Sequence, residues 1–268
     1  MATRLFESDY HAELYSKYRP KYGKSVSGVI IDFCKTGICD FDLAVDVGCG
    51  SGQSTSLLCS AFKNVIGSDV SPNQIENASK NLKNVTFLVS PAEDLGFLSN
   101  NSTDLITISQ AIHWVDTTKF YKEVTRVLKP GGSLVVYGYG FDQLDKEDAQ
   151  MKLDRFYFET IAEFWSNKIQ LLQRKYEDIT LPFDGWIRKD DLEIAADWSV
   201  DEFIGFVASS SAWQSYLKVN PSSEELKQLS NRFREIYTRI NESGVEEEQK
   251  MHITWPVFML MAHKLSSL

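Results

Sequence analysis

The chain has 268 residues, 43% hydrophobic and 24% charged, enough to bury a sizeable core without disulfide or metal staples. With 28 Lys and Arg against 37 Asp and Glu, the net charge is −9, which argues against a broad face for nucleic acid, since such faces are built from cations. The length allows one large or two small domains. The first twenty residues contain no apolar h-region, and no apolar run approaches the roughly 20 residues of a membrane helix. Cys34, Cys39, Cys49 and Cys59 form no CxxC pair. Reduced thiols, a cytoplasmic location, no metal, and neither membrane nor nucleic acid as partner are the expectations. Oligomeric state is left open.

Residues 1–40 read as helical and aromatic. Tyr10, Leu14 and Tyr18 recur at helical spacing until Arg19-Pro20, and a second helix covers Val26 to Phe33. Leu43 to Val47 is a short apolar strand, stopped by Gly48-Cys49-Gly50-Ser51-Gly52 and followed by a helix from Gln53 to Phe62. Asn64 to Asp69 is the second strand. Ser71, Pro72 and Gln74 then make a helix start of the capping-box kind. Val85 to Val89 and Leu105 to Ile108 are the third and fourth strands. A helix from Thr118 to Leu128 stops at Lys129-Pro130-Gly131-Gly132, before a fifth strand at Leu134 to Tyr137.

This alternation implies βαβ crossovers and a buried parallel sheet. Residues 141–244 read as mainly helical, with one strand near Leu192 to Ala196 and a long helix from Ser223 to Asn241. His252 to Met261 reads as a final strand returning to the sheet. The organisation expected is one domain over 1–268: an N-terminal helical cap (1–40), a ligand-binding core (41–140), a cap or insertion (141–244) and a closing strand (245–268). Glu246-Glu247-Glu248 reads as a solvated run.

The glycines after the first strand allow a tight turn and close backbone approach to a ligand. Asp69, at the end of the second strand, is placed to accept from both hydroxyls of a ribose. The spacing G-x-G-x-G brings the third glycine one residue earlier than a dinucleotide fingerprint requires. Asp46, two residues before Gly48, would repel a pyrophosphate but could interact with an α-ammonium group. A nucleoside carrying an amino acid, S-adenosylmethionine, is the ligand implied. A nicotinamide-dinucleotide dehydrogenase and a non-catalytic cofactor-binding module are the alternatives from other classes. Cys49 lies inside the loop and reads as a small space-filler, not a nucleophile.

Four segments resemble class I S-adenosylmethionine-dependent methyltransferases: Asp46 to Gly52, Gly67-Ser68-Asp69, Pro91-Ala92-Glu93-Asp94-Leu95, and Leu128-Lys129-Pro130-Gly131-Gly132. Tyr18-Arg19-Pro20-Lys21-Tyr22, Gln110 to Asp116 and Ser211 to Tyr216 resemble the trans-aconitate methyltransferase-like (methyltransferase type 11) branch. The resemblance implies an α/β fold, a Rossmann-like doubly wound sheet of seven strands, mostly parallel with the last antiparallel, plus a helical cap. It implies that Asp46 and Gly48 lie near the methionine moiety, with Gly50 and Gly52 in the same loop. Asp69 would hold the ribose and Val70 would pack on the adenine. Ala92 and Glu93 would lie at the adenine edge, and Gln110 beside the methionine. Related enzymes often carry an acid where Pro91 stands, and Glu93 is the substitute.

Tyr18 and Arg19 are expected to fold over the cofactor, with Tyr10, Tyr15 and Tyr22 packing on the sheet. Arg19, His113, Trp114 and Trp213 are the candidates for the acceptor pocket, while Trp165, Trp186 and Trp198 read as core. Known members of the branch esterify small carboxylic acids, so an anionic small-molecule acceptor methylated on a carboxylate oxygen is expected. A carboxylate is ionised at pH 7 and needs no base. A hydroxyl acceptor would need one, with His113 as the catalytic candidate.

Overall fold

The computed structural model describes residue 14 and residues 17–78, 81–240 and 243–265. Tyr10 and Tyr15 lie outside these. Helix α1 (Lys24–Thr36) buries Val26, Ile30 and Cys34, spaced four apart along one face. Strand β1 (Leu43–Val47) leads into the glycine loop, and β2 (Asn64–Asp69) and β3 (Val85–Val89) flank helix α2 (Pro72–Glu76). Strand β4 (Thr103–Ser109) is buried throughout. Helix α3 (Thr117–Val127) is capped by the Asp116 side chain, which accepts from Lys119 N.

Strand β5 (Leu128–Tyr139) runs through the Lys-Pro-Gly-Gly stretch read as a stop. After it come β6 (Gln143–Leu144), α4 (Glu147–Arg155) with a π-turn at Phe156–Thr160, and α5 (Ile169–Gln173). Then follow β7 (Ile187–Trp198), α6 (Val200–Ala208), α7 (Ser211–Val219) and α8 (Glu225–Tyr237). The chain ends with β8 (Thr238–Ile240), β9 (Glu246–Glu248) and β10 (Met251–His263).

The main sheet is Rossmann-like, in the order β3-β2-β1-β4-β5-β10-β6, with β7 on the other edge of β10. Strands β1 to β5 are parallel, and β10 is antiparallel to β5 and β7. Eight strands stand where seven were expected. The short strand read at Leu192 to Ala196 grows to the twelve residues of β7, and two-residue β6 extends the β5 line along β10. Alternate residues of β5 serve opposite faces. Val135 and Tyr137 join the cluster that includes α1 and the cap, while Leu134 and Val136 join the cluster around α3.

Two helix readings are corrected. Residues 53–62 hold only a single 3₁₀ turn, Thr55–Leu57, in place of a helix. The Ser54 and Thr55 hydroxyls there turn inward to a buried carboxylate, and such side chains compete with regular helix. The long helix at 223–241 stops at Tyr237, where β8 turns away to pair with β9, so the triple glutamate is an exposed hairpin strand.

One irregularity shapes the site. Strand β5 pairs with β10 as far as Tyr139 opposite Val257, and β6 resumes with Gln143 opposite Thr254. Between them Gly140 N donates to Pro256 O at 2.8 Å. Pro256 has no N–H to return, so the ladder breaks there and residues 140–142 leave the sheet.

Candidate active site

The carboxyl ends of β1, β2, β4 and β5 open into one cavity, as expected for the switch region of an open α/β sheet. Gly48 and Gly50 line it with φ of +65° and +54°. A Cβ at Gly48 would stand 2.6 Å from Ala111 Cβ, so only glycine fits. Gly52 does not line the cavity. Its would-be Cβ meets the Phe87 ring at 2.7 Å, so this glycine seats the loop against β3.

Asp69 lies on the cavity wall. Its Oδ2 accepts from Gly50 N and its Oδ1 from Ser71 N, both at 2.9 Å, so the carboxylate clamps loop to helix while each oxygen keeps a lone pair. Burial raises its pKa, against the opposing backbone donors. Val70, Ala92, Glu93 and Pro91 line the neighbouring wall. Glu93 Oε1 accepts from Asp116 N at 2.8 Å, which fixes this side chain beside the start of α3. Gln110 lines the cavity at φ +54°. Its N donates to Tyr137 O and its Nε2 to Tyr139 O, which holds a residue of this type in the left-handed region.

Asp46 stands apart from the cavity. It is fully buried, with Oδ2 accepting from Ser54 (2.6 Å) and Thr55 (2.7 Å) and Oδ1 from Thr107 (2.8 Å). Its role here is to tie the glycine loop to β4. Burial raises its pKa more than the three hydroxyls lower it.

Arg19 lines the cavity from the N-terminal segment. Its guanidinium donates to Tyr139 Oη (3.4 Å) and Ser209 O (3.3 Å) and lies 5.2 Å from the Phe206 ring centroid. Tyr18 does not reach the cavity. Its ring lies against Gly205 of α6, where a Cβ would come within 2.7 Å. Tyr22 lines the cavity, with its hydroxyl accepting from Ser109 at 2.8 Å.

His113 and Trp114 also line it. His113 Nδ1 shares a 2.8 Å hydrogen bond with Tyr176 Oη, and burial pushes the imidazole pKa down to about 3. A ring that stays neutral at pH 7 and binds a proton so weakly is a poor general base. The substrate reading for Trp213 meets a packing obstacle. Trp213 is 3% exposed, stacks on Tyr216 and touches Phe156, outside the cavity. Trp165 takes the place in the wall and donates Nε1–H to Tyr157 O at 3.0 Å.

Two residues escaped sequence reasoning. Gln74 was read as half of a capping box, but only its backbone N bonds Ser71 Oγ. Its buried Oε1 has no partner among the described residues and faces the Gly50 side of the loop. Asp142 lies in the segment that leaves the sheet opposite Pro256, lines the cavity and is 3% exposed. No motif marks Asp142, and the capping-box reading of Gln74 says nothing of a ligand.

These groups suit S-adenosylmethionine. Two close-approach glycines accommodate the ligand backbone, Asp69 keeps acceptor capacity for hydroxyls, and the orphaned Gln74 oxygen can take a donor such as an ammonium.

Comparison with known proteins agrees. Residues 45–136 match the methyltransferase domain family. A methyltransferase of Dictyostelium discoideum is 32% identical over 252 residues, covering 93% of this chain and 92% of that one. An S-adenosylmethionine-dependent methyltransferase of Saccharomyces cerevisiae is 24% identical, with 87% and 90% covered. The solved structure of a type II methyltransferase from Anaeromyxobacter dehalogenans superposes with a TM-score of 0.78 at 27% identity, covering 93% of this chain and all of that one. With its glycine loop, its Asp69 clamp and full-length relatives of one kind, the chain belongs to the class I S-adenosylmethionine-dependent methyltransferases.

Proposed function

We propose that this enzyme methylates a small anionic acceptor on a carboxylate oxygen, with 1–268 working as one unit. Bound S-adenosylmethionine supplies an electrophilic methyl group on a sulfonium. Gly48, Gly50, Asp69, Val70, Ala92, Glu93, Gln74 and Gln110 hold and orient it. The observation that carries the acceptor reading is Arg19, a guanidinium in the wall of the same cavity, beneath the aromatic groups of the cap. Its planar fork matches a carboxylate, and a low-dielectric setting strengthens that pairing. A carboxylate arrives ionised, so alignment and exclusion of water suffice, and the weakly basic His113 is then no handicap. His113 and Trp114 act as walls in this reading. The four cysteines are free thiols, which suits a reducing compartment such as the cytoplasm.

The test is a screen of small carboxylic acids with isotopically labelled cofactor, read by mass spectrometry. Arg19→Ala is expected to weaken binding of the acid found at least tenfold more than binding of its neutral amide analogue, with Arg19→Lys restoring part. Equal losses of affinity for both ligands would refute the assignment.

A further inference from the structure

Among the described residues, Asp142 is an acid of the cavity wall that nothing above employs. The break in the β5–β10 ladder opposite Pro256 carries it out of the sheet at the carboxyl end of β5. That is the edge on which Gly48, Asp69 and Gln110 also end. The groups around it come from four parts of the chain. Tyr157, on the π-turn after α4, donates its hydroxyl to Oδ1 at 3.4 Å. The Arg19 guanidinium attracts it from the N-terminal segment, and Asp154 of α4 repels it. Tyr139 stands beside Tyr157 and Arg19 at the end of β5. The second oxygen, Oδ2, is buried and has no hydrogen-bond partner among the described residues.

A buried carboxyl with one satisfied and one vacant oxygen is costly as an anion and is a good donor as an acid. Burial pushes its pKa up to about 7, against the pull of its own backbone N–H, Tyr157 and Arg19. An acceptor carboxylate entering the same cavity would raise it further, because two carboxylates in one site share a proton. The cofactor's sulfonium acts in the opposite direction.

We propose that Asp142 is a second anchor for the acceptor beside Arg19: carrying a proton on Oδ2, it donates to the carboxylate oxygen that does not attack. This rests on the carboxylate reading of the acceptor. The acid therefore binds together with one proton, and the site discriminates by protonation as well as by charge. The proton stays on Asp142 through methyl transfer, since the attacking carboxylate has none to lose.

The experiment is calorimetry on the full chain saturated with S-adenosylhomocysteine, whose sulfur is neutral. Benzoate and tricarballylate are the acid probes and benzamide the neutral one. Each is titrated between pH 6 and 9 in buffers of different ionisation enthalpy. The wild type is expected to take up close to one proton per acid bound near pH 8. Its affinity should fall about tenfold for each pH unit above about 7, as the protonated fraction declines. Asp142→Asn keeps a donor of the same shape, so acid binding should be flat with pH and free of proton uptake. Tyr157→Phe keeps Asp142 and removes the donor that favours its anion, so the fall should move to higher pH. That variant serves if Asp142→Asn does not fold.

Acid binding without proton uptake, an unaltered pH slope in Asp142→Asn, or a fall that begins at the same pH in Tyr157→Phe as in the wild type, would overturn the role of Asp142 and leave the carboxylate acceptor standing. Binding of benzamide with neither acid bound at any pH would overturn the carboxylate reading itself, as would no binding by any probe. In the labelled-cofactor screen, turnover that rises with pH and is lost in Asp142→Asn would mean that Asp142 removes a proton from a hydroxyl acceptor, and would also refute the proposal.

Discussion

Asp46 tests whether an acid inside the glycine motif touches the ligand or holds the loop. Replacement by Ala strips three buried hydroxyls, on Ser54, Thr55 and Thr107, of their shared acceptor. Hydrogen bonds to a charged group are worth about 1.5–3 kcal/mol each, so the crude sum is roughly 4.5–9 kcal/mol. Two effects reduce it. The raised pKa means that burying the carboxylate costs more than the three donors recover, and removing the charge relieves that cost. The hydroxyls can also rotate toward other acceptors. A loss of about 2–4 kcal/mol is expected, measured by urea denaturation.

Asp46→Asn should be far milder. Its amide oxygen can serve Ser54 and Thr55 while the Thr107 hydroxyl turns to accept from the amide, so a loss within about 1.5 kcal/mol is expected. Affinity for S-adenosylhomocysteine should stay within about threefold in this variant, a change under 1 kcal/mol. A drop of tenfold or more with stability unchanged would refute the loop-holding role and show that the carboxylate reaches the ligand.

Two further outcomes follow from the site. Asp69→Ala removes the acceptor for Gly50 N and Ser71 N as well as for a ribose, and cofactor affinity measured by calorimetry should fall on the order of ten- to a hundredfold. His113 titrates near 3 in the folded chain against 6.5 ordinarily, so the unfolded chain binds more protons between these values and stability should fall as pH drops through that window. Its contribution to that slope is about 1.4 kcal/mol per pH unit, and His113→Gln should flatten the denaturation-derived stability profile there by that amount. An unchanged profile would show that the ring is not buried neutral.

The core was legible because its signals are local. Strand β2 ends in Asp69 with a helix start behind it, and β1 ends in glycines, so both sides of the cofactor site follow from a few adjacent residues. The 53–62 segment misled because its polar residues, Ser54 and Thr55, answer to a carboxylate buried in β1. Strand β7 carries exposed or half-buried charged residues over much of its length, and only its pairing with β10 makes it twelve residues long. Asp142 was invisible because its setting depends on Pro256, more than a hundred residues later in the chain. Trp165 and Trp213 exchanged the roles assigned to them, since an aromatic residue in a helical cap carries no mark of which way it faces.

The place of β10 has a consequence for how the chain comes off the ribosome. Its flank toward β7 is the only sheet partner that β7 has among the described residues. While the residues from Trp198 to Met251 are being made, about 3–10 s at roughly 5–20 residues per second, β7 waits with both edges open. Ile194, buried once β10 arrives, is then exposed on an unpaired strand. At the same stage β5 also lacks its neighbour, because β10 pairs with β5 on one flank and β7 on the other, so the sheet waits with two open edges that one late strand closes. Unpaired edges of this kind are where strand exchange between chains starts, and β10 removes both on arrival.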